Sequence, residues 1–158
     1  TLSLLAAKLG PAVFSACLRN ASAVARHLRH RYTNVLFVPA GEQWPDGSLR
    51  PALEDWIGCG AVIDSLATLE ALEAAQPLSM SPEANAARQA YRAARGDLLH
   101  AIGEASSGRE LIGRGFAVDV EMAVEVDVSD AVPMLRDGEY RSQRAAEEDE
   151  DPGSMRPS

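Results

Sequence analysis

Apolar positions change their spacing along the chain, and the changes separate short buried strands from amphipathic helices. Leu2, Leu4, Leu5 and Leu9 already follow a helical period at the start. Gly10 and Pro11 interrupt it, and the apolar run Ala12 to Leu18 is short enough for a buried strand. Beyond Arg19, the residues Ala21, Val24, Ala25 and Leu28 form one helical stripe. Asn20 or Ser22 can cap that helix, and His27, Arg29, His30 and Arg31 load its C-terminal end, where the dipole favours cations. A second unit repeats the order. Val35 to Val38, closed by Pro39, reads as another buried strand, and the polar loop GEQWPDGS follows. Ser48 as cap and Pro51 near the first turn then open a helix whose face, Leu53, Ile57, Ala61 and Leu66, runs to about Leu72.

Two strand-loop-helix units in succession predict an α/β domain with a largely parallel sheet, and ligands in such folds gather beyond the strand C-termini. Ser81 as cap, Pro82 at the first helical position and Glu83 in the first turn predict a helix running through Tyr91 to about Ile102. In SSGRELIGRGF, Ser106 or Ser107 can cap a short helix closed by Gly113 or Gly115. Asp119 to Asp127 mixes helical and alternating periods, which leaves helix and strand both open. From Arg141 large apolar residues vanish except Met155, and five acids run from Glu147 to Asp151. The expected organisation is therefore a domain over residues 1–140 and a disordered acidic tail over 141–158.

With 158 residues, 46% of them hydrophobic, the chain can bury one core, so disorder over its whole length is excluded. A formal charge of -8 is the wrong sign for tracking a phosphate backbone and excludes nucleic acid as the expected partner. Cys17 and Cys59 lie among apolar neighbours, as small buried hydrophobes do, and cannot make a disulfide framework, which favours the cytoplasm. No stretch reaches the roughly 18 apolar residues of a membrane span, and no leader signature opens the chain. Because Thr1 runs straight into a helical pattern with no initiator Met, a fragment of a longer domain is expected. Nothing in the pattern decides oligomeric state, so a homo-oligomer stays open.

The stretch GEQWPDGSLRPALED places four carboxylates, Glu42, Asp46, Glu54 and Asp55, at the end of an expected strand. Hard oxygen ligands of this kind suit Mg²⁺, which takes one or two carboxylates plus waters and substrate oxygens. An equally simple reading makes Arg50 and Glu54 an i,i+4 surface ion pair and Asp46-Gly47 an ordinary turn. Arg19 and Asn20, between strand end and helix start, form a candidate anion site, unless Arg19 merely decorates a solvated loop. Cys17 lacks the C-x₅-R spacing of cysteine phosphatases, since Arg19 is only two residues on, so it reads as core rather than nucleophile. Ser107, Gly108 and Arg109 form a third candidate cradle, in which glycine admits a phosphate to the backbone and arginine forks onto it. His27, His30 and His100 lack ligand spacing to the acids and read as surface residues. No G-x-G-x-x-G, P-loop or G-x-S-x-G signature is present.

Five strings appear in order: ACLRNASAVA (Ala16 to Ala25), VPAGEQWPDGSLRPALEDWIGCGAVI (Val38 to Ile63), SPEA (Ser81 to Ala84), SGREL with GF and DV (Ser107 to Val120), and DVSDAVPMLRDGEY (Asp127 to Tyr140). Together they resemble the 2-phosphosulfolactate phosphatase (ComB) family from Ala16 to Tyr140. The resemblance implies a three-layer α/β/α fold and a Mg²⁺-dependent hydrolase that converts 2-phospho-3-sulfolactate to 3-sulfolactate and phosphate, a step toward coenzyme M. Members are typically longer at the front, with a D-V-L-R-A-like strand and an S-P-N-G-like loop. This chain looks as if it starts after that loop, so an incomplete domain is expected. The family's cysteine before SGREL is replaced in the region of Ala105 and Ser106, which argues against a required thiol nucleophile. On this reading Glu42, Asp46 and Glu54 are catalytic, Glu42, Asp46 and Asp55 hold the metal, and Arg19, Asn20, Arg50 and Arg109 bind a small anionic phospho-acid. The alternatives are a non-catalytic or truncated α/β domain, or a phosphatase of the same fold for another small phospho-acid.

Overall fold

The structure, a computed structural model, describes residues 2–73 and 78–143. The expected acidic run of the tail lies outside the described residues. α1 (Leu2–Lys8) matches the opening period, and α2 (Ala21–Leu28) buries the whole stripe Ala21, Val24, Ala25 and Leu28. α3 (Leu53–Glu73) is apolar around much of its circumference because it is covered on two sides, by α2 and by α4 (Pro82–Ala94). Ile57, Ala61, Val62 and Leu66 join the α2 stripe in one cluster with Leu98, Ile102, Val120 and Val132. Gly60 makes the α3–α4 approach feasible, since a Cβ there would stand 2.1 Å from the Ala87 carbonyl oxygen.

The helix expected from Ser81 to Ile102 divides in two. Its start is as the sequence predicts, with the Ser81 hydroxyl accepting from the Ala84 amide at 3.2 Å. Gly96 ends the first segment, and Asp97 caps a new one, α5 (Leu98–Gly103), by accepting from the His100 amide at 3.0 Å. α6 (Ser106–Gly113) begins one residue earlier than a Ser106 cap would allow, with Ala105 at the cap position. The ambiguous stretch after it is helical only over α7 (Ala117–Ala123).

The sheet expectations need correction. Among the described residues, strands form two antiparallel pairs, β1 (Glu42–Gln43) with β2 (Leu49–Arg50), and β3 (Val132–Arg136) with β4 (Glu139–Gln143). Helices and strands together keep the chain in the broad α/β class, but the sheets among these residues are antiparallel pairs and not a parallel sheet. Ala12 to Leu18 is not a strand. Phe14 alone bridges Met134, with Ser15 N–H donating to the Pro133 carbonyl and Leu135 N–H to the Val13 carbonyl, and Leu18 already belongs to a 3₁₀ turn. Val35 to Val38 is unpaired, and of it Phe37 alone packs against the core while Leu36 is 87% exposed. An apolar run becomes a buried strand only where a neighbour takes its backbone groups, and within the described residues no strand pairs with Val35 to Val38. Cys17, expected in the core, is exposed.

The β3–β4 turn, Asp137-Gly138 with φ of 52° and 85°, has the two left-handed residues of a tight hairpin. Its second strand extends the domain beyond residue 140, because Arg141, Ser142 and Gln143 pair with Met134, Pro133 and Val132. Deleting residues 141–158 should therefore unzip the buried end of β3. We expect a fall in Tm of about 3 °C or more in a thermal scan, roughly 1 kcal/mol for a domain of this size; an unchanged Tm would refute the role of β4.

Candidate functional site

The β1–β2 hairpin is built by its own turn. Trp44 N–H donates to the Ser48 carbonyl, Gly47 N–H to the Trp44 carbonyl, and the Asp46 carboxylate accepts from both the Ser48 amide (2.9 Å) and its hydroxyl (2.6 Å). Those Ser48 bonds hold the Asp46 carboxyl below its ordinary range. At the base of the hairpin, Gly41 N–H donates to Asp55 Oδ2 at 2.7 Å, which ties the hairpin to the first turn of α3. The result delivers Arg50, at the end of β2, to a fixed place.

Arg50 is the centre of the site. Its Nη1 lies 2.9 Å from Glu110 Oε2 and 3.0 Å from Glu42 Oε2, and its guanidinium sits 4.7 Å from the Trp44 ring centroid. The Arg50 side chain is only 15% exposed, against 46% for Glu42 and 49% for Glu110, so the cation is inside and the acids stand toward water. A cleft of about 100 Å³ opens here, lined by Glu42, Arg50, Ser107, Glu110, Leu111 and Arg114. Ser107, Glu110 and Leu111 come from one face of α6 at i, i+3 and i+4, and Arg114, the residue that ends the helix, continues that face.

That periodicity explains which sequence candidates arrive and which do not. Glu42 and Arg50 line the cleft, and Ser107 faces it. Arg109, two residues past Ser107, is exposed and does not line it; Arg114 supplies the second cation instead. Gly108 serves helix packing, because a Cβ there would meet the Ile102 carbonyl oxygen at 2.0 Å. Gly108→Ala should accordingly destabilise the α5–α6 contact by about 1–3 kcal/mol, the usual cost of overpacking, measured as a lower urea midpoint; a neutral effect would restore the phosphate-cradle reading. Glu110 and Arg114 were missed by the sequence reading, although the helical face defined by Ser107 contains both.

The other candidates are employed elsewhere. Arg19 forms an ion pair with Glu125 and donates to the Met122 carbonyl at 2.8 Å. Asn20 is buried; its Nδ2 donates to the carbonyls of Ala131 and Ser15, and its Oδ1 accepts from the Cys17 amide. Both residues thus clasp the start of α2 to the loops following α7. Burial, with Asp55 adding to it, pushes the Cys59 thiol up to about 11, which keeps it protonated and unreactive at neutral pH.

The four acids do not gather. Asp46 is spent on its turn, Asp55 on Gly41, and Glu42 on Arg50, and among the described residues no group of three or more His, Cys, Asp or Glu side chains is placed to hold a metal ion. Glu54 differs, because its Oε2 is buried with no hydrogen-bond partner among the described residues. A buried carboxylate oxygen without a partner is costly, and a cation relieves it. Among the described residues the four acids therefore form no metal cage, and Glu54 alone of them carries a buried oxygen without a partner.

Comparison with known sequences covers this whole framework. The family model described as 2-phosphosulpholactate phosphatase matches residues 1–138, from α1 to the β3–β4 turn. A protein of Cyanothece sp. (strain PCC 7425), named probable 2-phosphosulfolactate phosphatase, is 30% identical over 122 residues, which are 77% of this chain and 48% of that protein. The chain thus spans about half the length of this relative.

Proposed function

The chain belongs to the 2-phosphosulfolactate phosphatase family, and from that premise we propose that it acts in hydrolysis of a small phosphate monoester, 2-phospho-3-sulfolactate, to 3-sulfolactate and inorganic phosphate. One observation carries the reading: the two strings GEQWPDGSLRPALED and SGREL, far apart in sequence, meet at a single cleft through Glu42, Arg50, Ser107 and Glu110. Arg50 offers a planar fork that matches phosphoryl oxygens, and Arg114 at the same cleft adds the second positive charge that a substrate with phosphate, carboxylate and sulfonate requires. In a protein of net charge -8 such attraction has to be local.

In the reaction a water oxygen attacks phosphorus, the ester P–O bond breaks, and the leaving oxygen takes up a proton to give 3-sulfolactate. Glu42 is the acid of the original set that stands at the cleft, and we assign it the water's proton. Asp46 shapes the turn that carries Arg50. Bound Mg²⁺ would neutralise phosphoryl oxygens. We place the reaction in the cytoplasm and in a route of the coenzyme M type; among the described residues no helix is long and apolar enough to cross a membrane.

Phosphate release from a panel of 2-phospho-acids, with Mg²⁺ and with chelator, tests this reading. Turnover of 2-phospho-3-sulfolactate that chelator abolishes is expected. Preference for another panel member would make it a phosphatase for a different phospho-acid, and release from none would leave a non-catalytic domain.

A further inference from the structure

Arg50, the phosphate grip of the proposed function, already holds two carboxylates on the one nitrogen Nη1, at 2.9 Å from Glu110 and 3.0 Å from Glu42. A carboxylate is itself a two-oxygen anion of the kind that the guanidinium fork accepts. The two acids differ in origin and tether. Glu42 precedes Arg50 on the paired strand, directly opposite it in register, and is fixed by the hairpin. Glu110 reaches across from α6, is about half exposed, and also lies 3.7 Å from Arg114. It therefore touches both cations of the cleft at once.

We propose that Glu110 is an internal anion that occupies the phosphate position in the empty site and is displaced by the phosphoryl group of the ligand. The inference rests on the assignment of Arg50 as the phosphate grip and adds a selectivity device to it. Glu110 has a half-exposed side chain that can turn to water, so releasing it costs little burial. A ligand must outcompete a monovalent carboxylate on Arg50 and Arg114 together. Dianionic phosphate monoesters can do so, while singly charged acids such as lactate or acetate exchange one monoanion for another and gain little. The cleft would thus reject the abundant monocarboxylates by competition rather than by shape.

Binding of inorganic phosphate to the full chain, by titration calorimetry at fixed ionic strength, tests the idea in wild type, Glu110→Gln, Glu42→Gln and Arg50→Lys, each checked for unchanged far-UV circular dichroism. The amide of Glu110→Gln keeps the shape and removes the competing charge, so we expect phosphate affinity to rise about tenfold and acetate, undetectable with wild type, to bind measurably. Glu42→Gln should raise phosphate affinity less, because Glu42 is held by the hairpin. Arg50→Lys should lose binding. If Arg50→Lys loses binding while Glu110→Gln gains none, the displaced-anion role of Glu110 is overturned and the grip stands. If Arg50→Lys binds like wild type, or if neither wild type nor Glu110→Gln binds phosphate, the grip itself falls and the inference with it.

Discussion

Replacing Arg50 by lysine is expected to lower kcat/KM for phosphate-ester hydrolysis by about a hundredfold, the scale on which a single preorganised donor to a developing charge contributes. The substitution keeps the charge, so any loss comes from geometry. Arg50 meets two acids on different elements while its Cζ lies 4.7 Å from the Trp44 ring centroid. An ammonium is a point charge that can neither stack in this way nor fork onto two phosphoryl oxygens. Stability should move little, because both acids are about half exposed and such pairs contribute at most ~1 kcal/mol. The decisive comparison is therefore steady-state kinetics beside urea unfolding. A kcat/KM within about threefold of wild type, with the midpoint unchanged, would remove Arg50 from the reaction.

What the sequence made readable follows the range of the interaction concerned. The stripe of α2 and the cap of α4 are local patterns, set by residues three or four apart, and each is where the sequence places it. The turns Asp46-Gly47 and Asp137-Gly138 were also local and carried a recognised hairpin dipeptide, yet both hairpins were passed over because neither is flanked by a long alternating run. Val35 to Val38 failed for the opposite reason. Its composition says strand, but strand formation needs a partner, and local composition contains no partner.

The candidate site divides in the same manner. Glu42 and Arg50 were found because they share one short string, and they meet across two paired residues. The position of Arg19 and Asn20 at a helix start is local, whereas three of their partners, Glu125, Met122 and Ala131, are more than 100 residues away and invisible to spacing. Four acids in one string looked like a ligand set because charge was counted without direction. Successive side chains on a hairpin and a helix turn point apart, and each acid found the nearest donor: Ser48 for Asp46, the Gly41 amide for Asp55. Glu54 alone of the four keeps a buried oxygen without a partner.

A charge inside the apolar run of α3, which the pattern of the sequence did not single out, leads to the largest stability effect we expect. Asp64 is 7% exposed among Val62, Ile63 and Leu66, where an isolated carboxylate would be prohibitive. Arg88 and Arg92, one turn apart on α4, both donate Nε–H to its Oδ1, at 2.8 Å and 2.7 Å. Burial pushes the Asp64 carboxyl up, but the two hydrogen bonds and the two positive charges outweigh it and hold the group below its ordinary range. Asp64→Asn preserves the shape and leaves two guanidiniums facing each other without an anion. Arg92 is 42% exposed and can turn to water, but Arg88 at 19% cannot do so freely. Removing one member of a buried pair costs about 3–5 kcal/mol, and the escape of Arg92 puts the expectation near the lower figure, about 3 kcal/mol in urea unfolding at pH 7. The pH dependence follows from the depressed value. The ionised Asp64 contributes its full stabilisation above the unfolded carboxylate pKa, about 3.9, and loses it as pH falls from there through the folded value. Asparagine does not titrate, so the gap between wild type and variant should stay constant from pH 7 to about 5 and narrow below about 4. A gap that is absent at pH 7, or that widens on acidification, would show that the α3–α4 seam is held by its apolar contacts and the close approach at Gly60 without help from this charge.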